Sequence, residues 1–270
     1  MNIFHAIVLG IVQGLTEFIP VSSTAHLFIV SSMLGLPSDD RLFAFNVIIQ
    51  LGTVAALLLF FWRDFLDIVK SFFAGIRSRN LFGEYSSRLG WLVIVATIPA
   101  GLVGLALKPL VQKMSGDPLL WAAVRLLFTA ILLAVVEYFD KKSRTLETAT
   151  WVDALTVGFF QVLAIIPGAS RSGSTMAGAM FRGFDRPSAA RFAFLMSAPI
   201  LLAAGLYETI QAILLPNTTE FFPILLAGFV TSALVGWFAI RWLLGFLRQH
   251  SLYIFSAYCL FAGIVVLLLK

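Results

Sequence analysis

Six apolar runs of about 18 to 22 residues restrict the fold of this chain more than any other feature, because each could cross ~30 Å of hydrocarbon as a helix. They lie at 43–62, 89–108, 119–139, 189–207, 222–243 and 252–269. Hydrophobic residues make up 60% of the chain and charged residues 12%, which leaves too little polar surface to cover a soluble globule. The sequence therefore predicts an all-α integral membrane protein with six transmembrane helices.

Two further stretches share a similar sequence motif. Each begins with Gly-x-x-Gln and continues with an apolar run, a proline and a cluster of hydroxyl residues. They begin at Gly10 and Gly158, 148 residues apart, and are interrupted by Pro20 and Pro167. The apolar run on either side of each proline is too short to cross a bilayer. We therefore expect two re-entrant helix pairs, at 2–36 and 151–181, whose broken backbone must be satisfied by protein or water.

Each predicted pair is followed by three spans, which indicates an internal duplication within a single membrane domain. The first repeat covers 1–140, a polar cytoplasmic linker covers 141–150, and the second repeat covers 151–270. Because three spans is an odd number, the second copy must begin on the opposite side of the membrane, so the repeats have inverted topology. In such proteins the broken helices of the two halves meet near the midplane and form the site.

The basic residues predict the orientation. Thirteen of the nineteen Lys and Arg residues fall in the segments 63–88, 140–150, 182–191 and 241–250, which should face the cytoplasm. The first pair then opens to the outer face and the second to the cytoplasmic face. Segment 63–80 has apolar residues at helical spacing and is expected to form a helix on the cytoplasmic surface. The net charge of +5 thus reflects membrane orientation, and nucleic-acid binding is not expected.

The first pair contains a carboxylate in an apolar segment. Gln13 and Glu17 are four residues apart and share one helix face. A carboxylate within a membrane needs a metal, a cation or a proton. Glu17 could hold Mg²⁺ or Ca²⁺ against phosphate oxygens, act as a base, or pair structurally with Arg171, and Gln13 could add a carbonyl ligand or orient the carboxylate.

Hydroxyl residues follow Pro20, a pattern typical of a helix start that attracts an anion. Any of Ser22, Ser23 and Thr24 could cap this helix, and we expect Ser22 and Thr24 to help bind the anionic substrate. His26 comes three residues after Ser23, so on a helix it would be close enough to take or return a proton.

The second pair resembles a phosphate cradle. Arg171 is costly within a membrane without an anion, and its planar fork suits a phosphate. The lysine of a Walker A motif is absent, so nucleotide binding is not indicated. The neighbours that could bind substrate are two glycines and three hydroxyl residues besides the arginine, namely Gly168, Gly173, Ser170, Ser172 and Thr175. We interpret Asp153 as structural, and Arg125 as structural or lipid-facing.

The paired motifs resemble those of the undecaprenyl pyrophosphate phosphatase family, the bacitracin-resistance type. The first family signature matches Gln13, Glu17, 20–24 and His26, and the second matches Pro167, Gly168, 170–173 and Thr175. The sequence departs from the family pattern in two ways. The first position of the signature can be Glu or Gln in the family and is Gln13 here, and Ala25 stands where glycine is common.

The resemblance implies hydrolysis of a polyprenyl pyrophosphate to the monophosphate carrier of cell-wall synthesis, with a divalent cation. It places the site at the outer face of the bacterial plasma membrane and makes a homodimer possible. Carried onto this chain, Glu17 would bind metal or move protons, Ser23 or His26 would attack phosphorus, and Arg171 with Ser170 would bind the pyrophosphate. Water activated at Glu17 is a third possible nucleophile. A transporter or flippase of polyprenyl phosphate lipids is the main alternative, because inverted repeats are also a transporter architecture.

Overall fold

The computed structural model describes residues 1–80, 82, 84–113, 117–139, 144–165, 169–213 and 218–269, and within these ranges it leaves out the side chains of 108–113, 208, 211–213 and 218–220. Every long regular element of this described part is a helix. The first half contains α1 (Ile3–Phe18), α2 (Ser23–Met33), α3 (Asp40–Phe60), α4 (Trp62–Arg77), α5 (Tyr85–Lys113) and α6 (Pro118–Tyr138). The second contains α7 (Trp151–Val162), α8 (Arg171–Phe181), α9 (Arg186–Ile213), α10 (Thr218–Phe246) and α11 (Tyr253–Leu269).

Five of the six predicted spans form helices long and apolar enough to cross a membrane, namely α3, α5, α6, α9 and α10. The sixth, α11, is an apolar helix of 17 residues, or ~26 Å at 1.5 Å per residue. The all-α membrane fold is therefore confirmed. The amphipathic helix expected over 63–80 is present as α4, and only Gly75 is buried along it.

The short first helix of each half packs on a long helix of the other half. Helix α1 lies against α10, and α7 lies against α5. Both contacts depend on the duplicated glycine: a Cβ on Gly10 would lie 2.9 Å from the Gly228 carbonyl oxygen, and a Cβ on Gly158 would lie 2.5 Å from the Ala96 carbonyl oxygen. Any side chain at these positions would push the helices apart, so the duplicated glycines hold the two halves together.

The start of α7 and the end of α8 lie at the same end of the bundle, where the buried carboxylate of Asp153 links them. Asp153 belongs to a capping box with Thr150 at the start of α7. It accepts hydrogen bonds from Arg144 Nη2 at 2.7 Å and Arg182 Nε at 2.6 Å. The hydrogen bond to Asp153 raises the pKa of Arg144 above its ordinary value. Asp153 therefore has the structural role that the sequence predicts.

The other basic segments gather at the same end. Arg191 pairs with Asp64, and Arg186 pairs with Glu137. Glu137 also accepts a hydrogen bond from the backbone N–H of Leu252 at 3.1 Å. We call this the basic end. Met1, Leu36 and Phe221 lie together at the opposite end. The start of α1 and the end of α2 are therefore at that end. The two helix pairs thus enter from opposite ends, as the inverted topology requires.

Candidate active site

The tips of the two helix pairs meet inside the bundle around the carboxylate of Glu17, which is 3% exposed. Arg171, the first residue of α8, forms an ion pair with Glu17 Oε1. On the other oxygen, Oε2, Glu17 accepts hydrogen bonds from Ser23 Oγ at 2.7 Å and Gln13 Nε2 at 2.9 Å. One carboxylate thus joins a cation, a hydroxyl group and an amide that the sequence places in three different helices.

The turn between α1 and α2 has an unusual backbone. Ser22 has φ +70°, in the left-handed region that residues other than glycine rarely adopt. It occupies the N-cap position of α2, yet its side chain makes no capping hydrogen bond. Such strain concentrates at functional sites, where the surrounding structure maintains it. Here the strained turn lies beside Ser23, the first residue of α2, whose hydroxyl group meets Glu17.

The tip of the second pair has an ordinary, fully capped start. Ser170 has φ −60°, and its Oγ accepts a hydrogen bond from the Gly173 N–H at 3.2 Å. The backbone N–H of Ser170 is fixed by Thr129 Oγ1 at 2.9 Å. Ser172 Oγ lies 3.1 Å from Ser170 Oγ. This rigid N-terminus of α8 points its positive end toward the region of Glu17, a suitable position for a phosphate.

A cavity of about 480 Å³ adjoins this cluster. Seven of the predicted site residues line it, namely Glu17, Ser22, Ser23, Thr24, Ser170, Arg171 and Ser172. Four do not: Gln13, His26, Gly173 and Thr175. Thr175 Oγ1 instead donates to the Arg171 carbonyl oxygen at 2.9 Å. Gly168, like Pro167, lies outside the described residues. Three polar lining residues were not predicted as site residues, namely Gln50, Arg125 and Gln161.

His26 does not make the predicted contact with Ser23. Its Nδ1 lies 2.9 Å from the Ser22 carbonyl oxygen, and its Nε2 lies 2.7 Å from Tyr258 Oη. The two rings stack with centroids 5.6 Å apart. The expectation that His26 takes the proton of Ser23 is therefore wrong for this geometry, because the Ser23 hydroxyl faces Glu17. Tyr258 stands in an apolar helix, and nothing in the sequence marks it as a partner of His26.

A divalent cation in this cavity would have to be held by Glu17 together with oxygen atoms of a phosphate ligand. Among the described lining residues Glu17 is the one carboxylate, and no cluster of three His, Cys, Asp or Glu residues occurs in the described part of the chain. Mg²⁺ is commonly held by one or two carboxylates together with substrate phosphates. Gln13 does not line the cavity, and its amide group donates to Glu17, so it orients the carboxylate.

A family model described as bacitracin resistance protein BacA matches residues 6–265. An undecaprenyl-diphosphatase of Chlorobium phaeovibrioides is 41% identical over 278 residues, which cover 100% of this chain and 97% of that protein. The undecaprenyl-diphosphatase of Chloroherpeton thalassium is 40% identical over 276 residues, covering 99% and 96%. That of Thermomicrobium roseum is 39% identical over 274 residues, covering 99% and 98%.

Proposed function

We propose that this chain, which belongs to the BacA family of bacitracin resistance proteins, hydrolyses undecaprenyl diphosphate to undecaprenyl phosphate and inorganic phosphate. The reaction recycles the lipid carrier of cell-wall synthesis and confers resistance to bacitracin. The observation that carries the proposal is the contact of Glu17 with both Ser23 and Arg171 beside one cavity. The relatives are named as hydrolases, which favours hydrolysis over the transporter alternative.

The terminal phosphate of the substrate binds at the tip of α8. Arg171 uses one nitrogen for Glu17, while its Nη1 is buried and has no hydrogen-bond partner in the part of the chain that the structure describes. A buried guanidinium nitrogen with no acceptor is suited to a phosphate oxygen. Ser170 and Ser172 add hydroxyl groups, and the N-terminus of α8 adds its positive dipole. Binding therefore neutralises the oxygens around the phosphorus atom, which is the main requirement of phosphoryl transfer.

Ser23 is the nucleophile of the proposed reaction. Its oxygen attacks the terminal phosphorus while its proton passes to Glu17, the P–O bond to the bridging oxygen breaks, and the lipid monophosphate leaves. Glu17 releases that proton to solvent. It then takes a proton from an attacking water and passes it to the Ser23 oxygen as inorganic phosphate leaves. The 2.7 Å contact of Ser23 with Glu17 is within the range needed for such a transfer.

A divalent cation, Mg²⁺ or Ca²⁺, is part of the proposal, and Glu17 would hold it together with the diphosphate. When bound, the cation would neutralise charge on the phosphate oxygens. Gln13 positions Glu17 through its amide hydrogen bond.

We further propose that the protein lies in the bacterial plasma membrane with the cavity accessible from the outer face. The clustering of the basic segments at one end of the bundle supports this orientation. Cysteines introduced at 38–40 should react with an impermeant reagent added to intact cells, and cysteines at 77–79 should not. The reverse labelling pattern would invert the proposed orientation.

The activity is tested by phosphate release from undecaprenyl diphosphate by the detergent-purified protein, with and without a chelator. We expect release by the parent protein and its loss in Arg171→Ala and Glu17→Ala. Rapid denaturation at neutral pH, where phosphoserine and phosphohistidine both survive, should leave the label of a substrate labelled at the terminal phosphate on Ser23. Label on His26, or full activity in Ser23→Ala, would refute the proposed nucleophile.

A further inference from the structure

Arg125 is a cation in a membrane helix, and the described residues offer no partner for its charge. It lies in α6 and lines the same cavity as Arg171. Its Nε is buried and has no hydrogen-bond partner, and no described carboxylate pairs with it. A guanidinium within a membrane normally pairs with an anion or marks the path of one. The side chain is therefore suited to an anionic ligand in the cavity.

Gln161 is a second polar residue of this cavity that lacks a hydrogen-bond partner among the described residues. It lies near the end of α7, is 3% exposed and lines the cavity. Among the described residues, neither its amide nitrogen nor its amide oxygen has a hydrogen-bond partner. Its counterpart in the first copy, Gln13, donates to Glu17 four residues later, whereas the residue four positions after Gln161 is Ile165. Because buried amides are normally hydrogen-bonded, the amide of Gln161 is available to a ligand.

A diphosphate has two phosphates, and the cluster around Glu17 accounts for only one of them. The charge of Arg171 is partly offset by Glu17, so a second basic side chain in the cavity, in addition to the divalent cation proposed above, is suited to the other phosphate. The remaining wall of the cavity is mostly apolar and includes Gly101 and Ile165. A Cβ on Gly101 would meet nothing within 4 Å, so this side of α5 leaves room for a hydrocarbon chain.

We propose that Arg125 and Gln161 bind the phosphate that carries the polyprenyl chain, while Arg171 binds the phosphate that is removed. The proposal rests on the diphosphatase activity proposed above. It divides the cavity into a cleavage subsite at the tips of the helix pairs and an anchoring subsite between α6 and α7. The anchoring subsite contributes to substrate binding and does not take part in bond cleavage.

The test is steady-state hydrolysis of undecaprenyl diphosphate by Arg125→Met in detergent micelles. Removing a charged hydrogen-bond donor should raise KM by roughly tenfold or more and change kcat by less than about threefold. Gln161→Leu should raise KM by a smaller factor, and Arg125→Lys should recover part of the lost affinity. Arg41→Met is the matched control, because it removes an exposed arginine that does not line this cavity. Its KM should equal that of the parent.

Product inhibition separates the two subsites. In Arg125→Met the inhibition constant of undecaprenyl phosphate should rise with KM, while that of inorganic phosphate should stay at the parent value. A parental KM, or a fall in kcat without a change in KM, would overturn the proposal. So would an equal rise in both inhibition constants. If Arg125→Met does not fold, Arg125→Lys and Gln161→Leu give the same readouts. Absence of activity in the parent protein would instead refute the proposed function.

Discussion

The two re-entrant pairs have matching helices but opposite chemistry. Helices α2 and α8 each have 11 residues and start 148 positions apart, at Ser23 and Arg171. The same structural position thus supplies the proposed nucleophile in one copy and the proposed phosphate ligand in the other. The first tip has a strained, uncapped turn at Ser22, whereas the second has an ordinary turn capped by Ser170. The comparison indicates that the two predicted repeats place equivalent helix starts at the site, and that the different side chains at these starts make the site asymmetric.

The buried carboxylates of the two pairs differ in the same way. Glu17 lies at the tip of its pair beside the cavity, while Asp153 lies at the base of its pair and holds Arg144 and Arg182. If this contrast is correct, neutralising Glu17 will affect the reaction, and neutralising Asp153 will affect the fold.

The largest effect is expected for Glu17→Gln. This change removes the proton acceptor of Ser23 and the counter-charge of Arg171, so kcat should fall by about 10³-fold. The measurement is the initial rate of phosphate release at saturating substrate. Glu84→Gln, which neutralises an exposed carboxylate, should keep the parental rate. Comparable activity in the two variants would remove Glu17 from the mechanism.

Asp153→Asn should act on stability instead. Two arginines would lose their shared carboxylate at the base of α7, and the free energy of unfolding should fall by about 2 kcal/mol, less than for a pair buried on both sides because the arginines are partly exposed. Thermal unfolding in detergent measures the loss, and kcat of the folded protein should remain near the parental value. Asp67→Asn is the control, because Asp67 is exposed. A large loss of kcat at parental stability would contradict the assignment.

The duplicated glycines provide the next comparison. A methyl group at Gly158 meets a carbonyl oxygen at 2.5 Å, and one at Gly10 meets its nearest carbonyl oxygen at 2.9 Å. Gly158→Ala should lower the free energy of unfolding by about 2 kcal/mol, and Gly10→Ala by somewhat less. In Gly245→Ala the added methyl group meets nothing within 4 Å, so this control should unfold at or above the parental temperature. An unchanged melting temperature in Gly158→Ala would show that the α5–α7 contact can relax.

The smallest effects should have opposite signs at the two helix starts. Ser22→Gly relieves a positive φ and should stabilise the protein by up to about 1 kcal/mol. Ser170→Ala removes a cap and should destabilise it by about 1 kcal/mol. Thermal unfolding of both variants under one condition is sufficient to compare them. If both melting temperatures fell, the difference between a strained and a capped tip would not hold.

Much of this organisation could be predicted from the sequence, because it depends on segment length and local patterns. Apolar run lengths gave the spans, and the interrupted motifs placed Glu17, Ser23 and Arg171 at facing tips. Partners across the bundle could not be predicted, since they depend on how each helix is rotated. The sequence left Arg125 without a role, and it paired His26 with Ser23, whereas the structure places His26 against Tyr258.

The packing of each short helix on the other half has a consequence for biosynthesis. Helix α1 leaves the ribosome before its packing partner α10, and helices α2 to α9 are synthesised between them. Until α10 is made, α1 can pack only against helices such as α2 and α3 of its own half, and until α8 is made the carboxylate of Glu17 lacks Arg171. The first half therefore reaches its final packing only after α10 of the second half has been inserted.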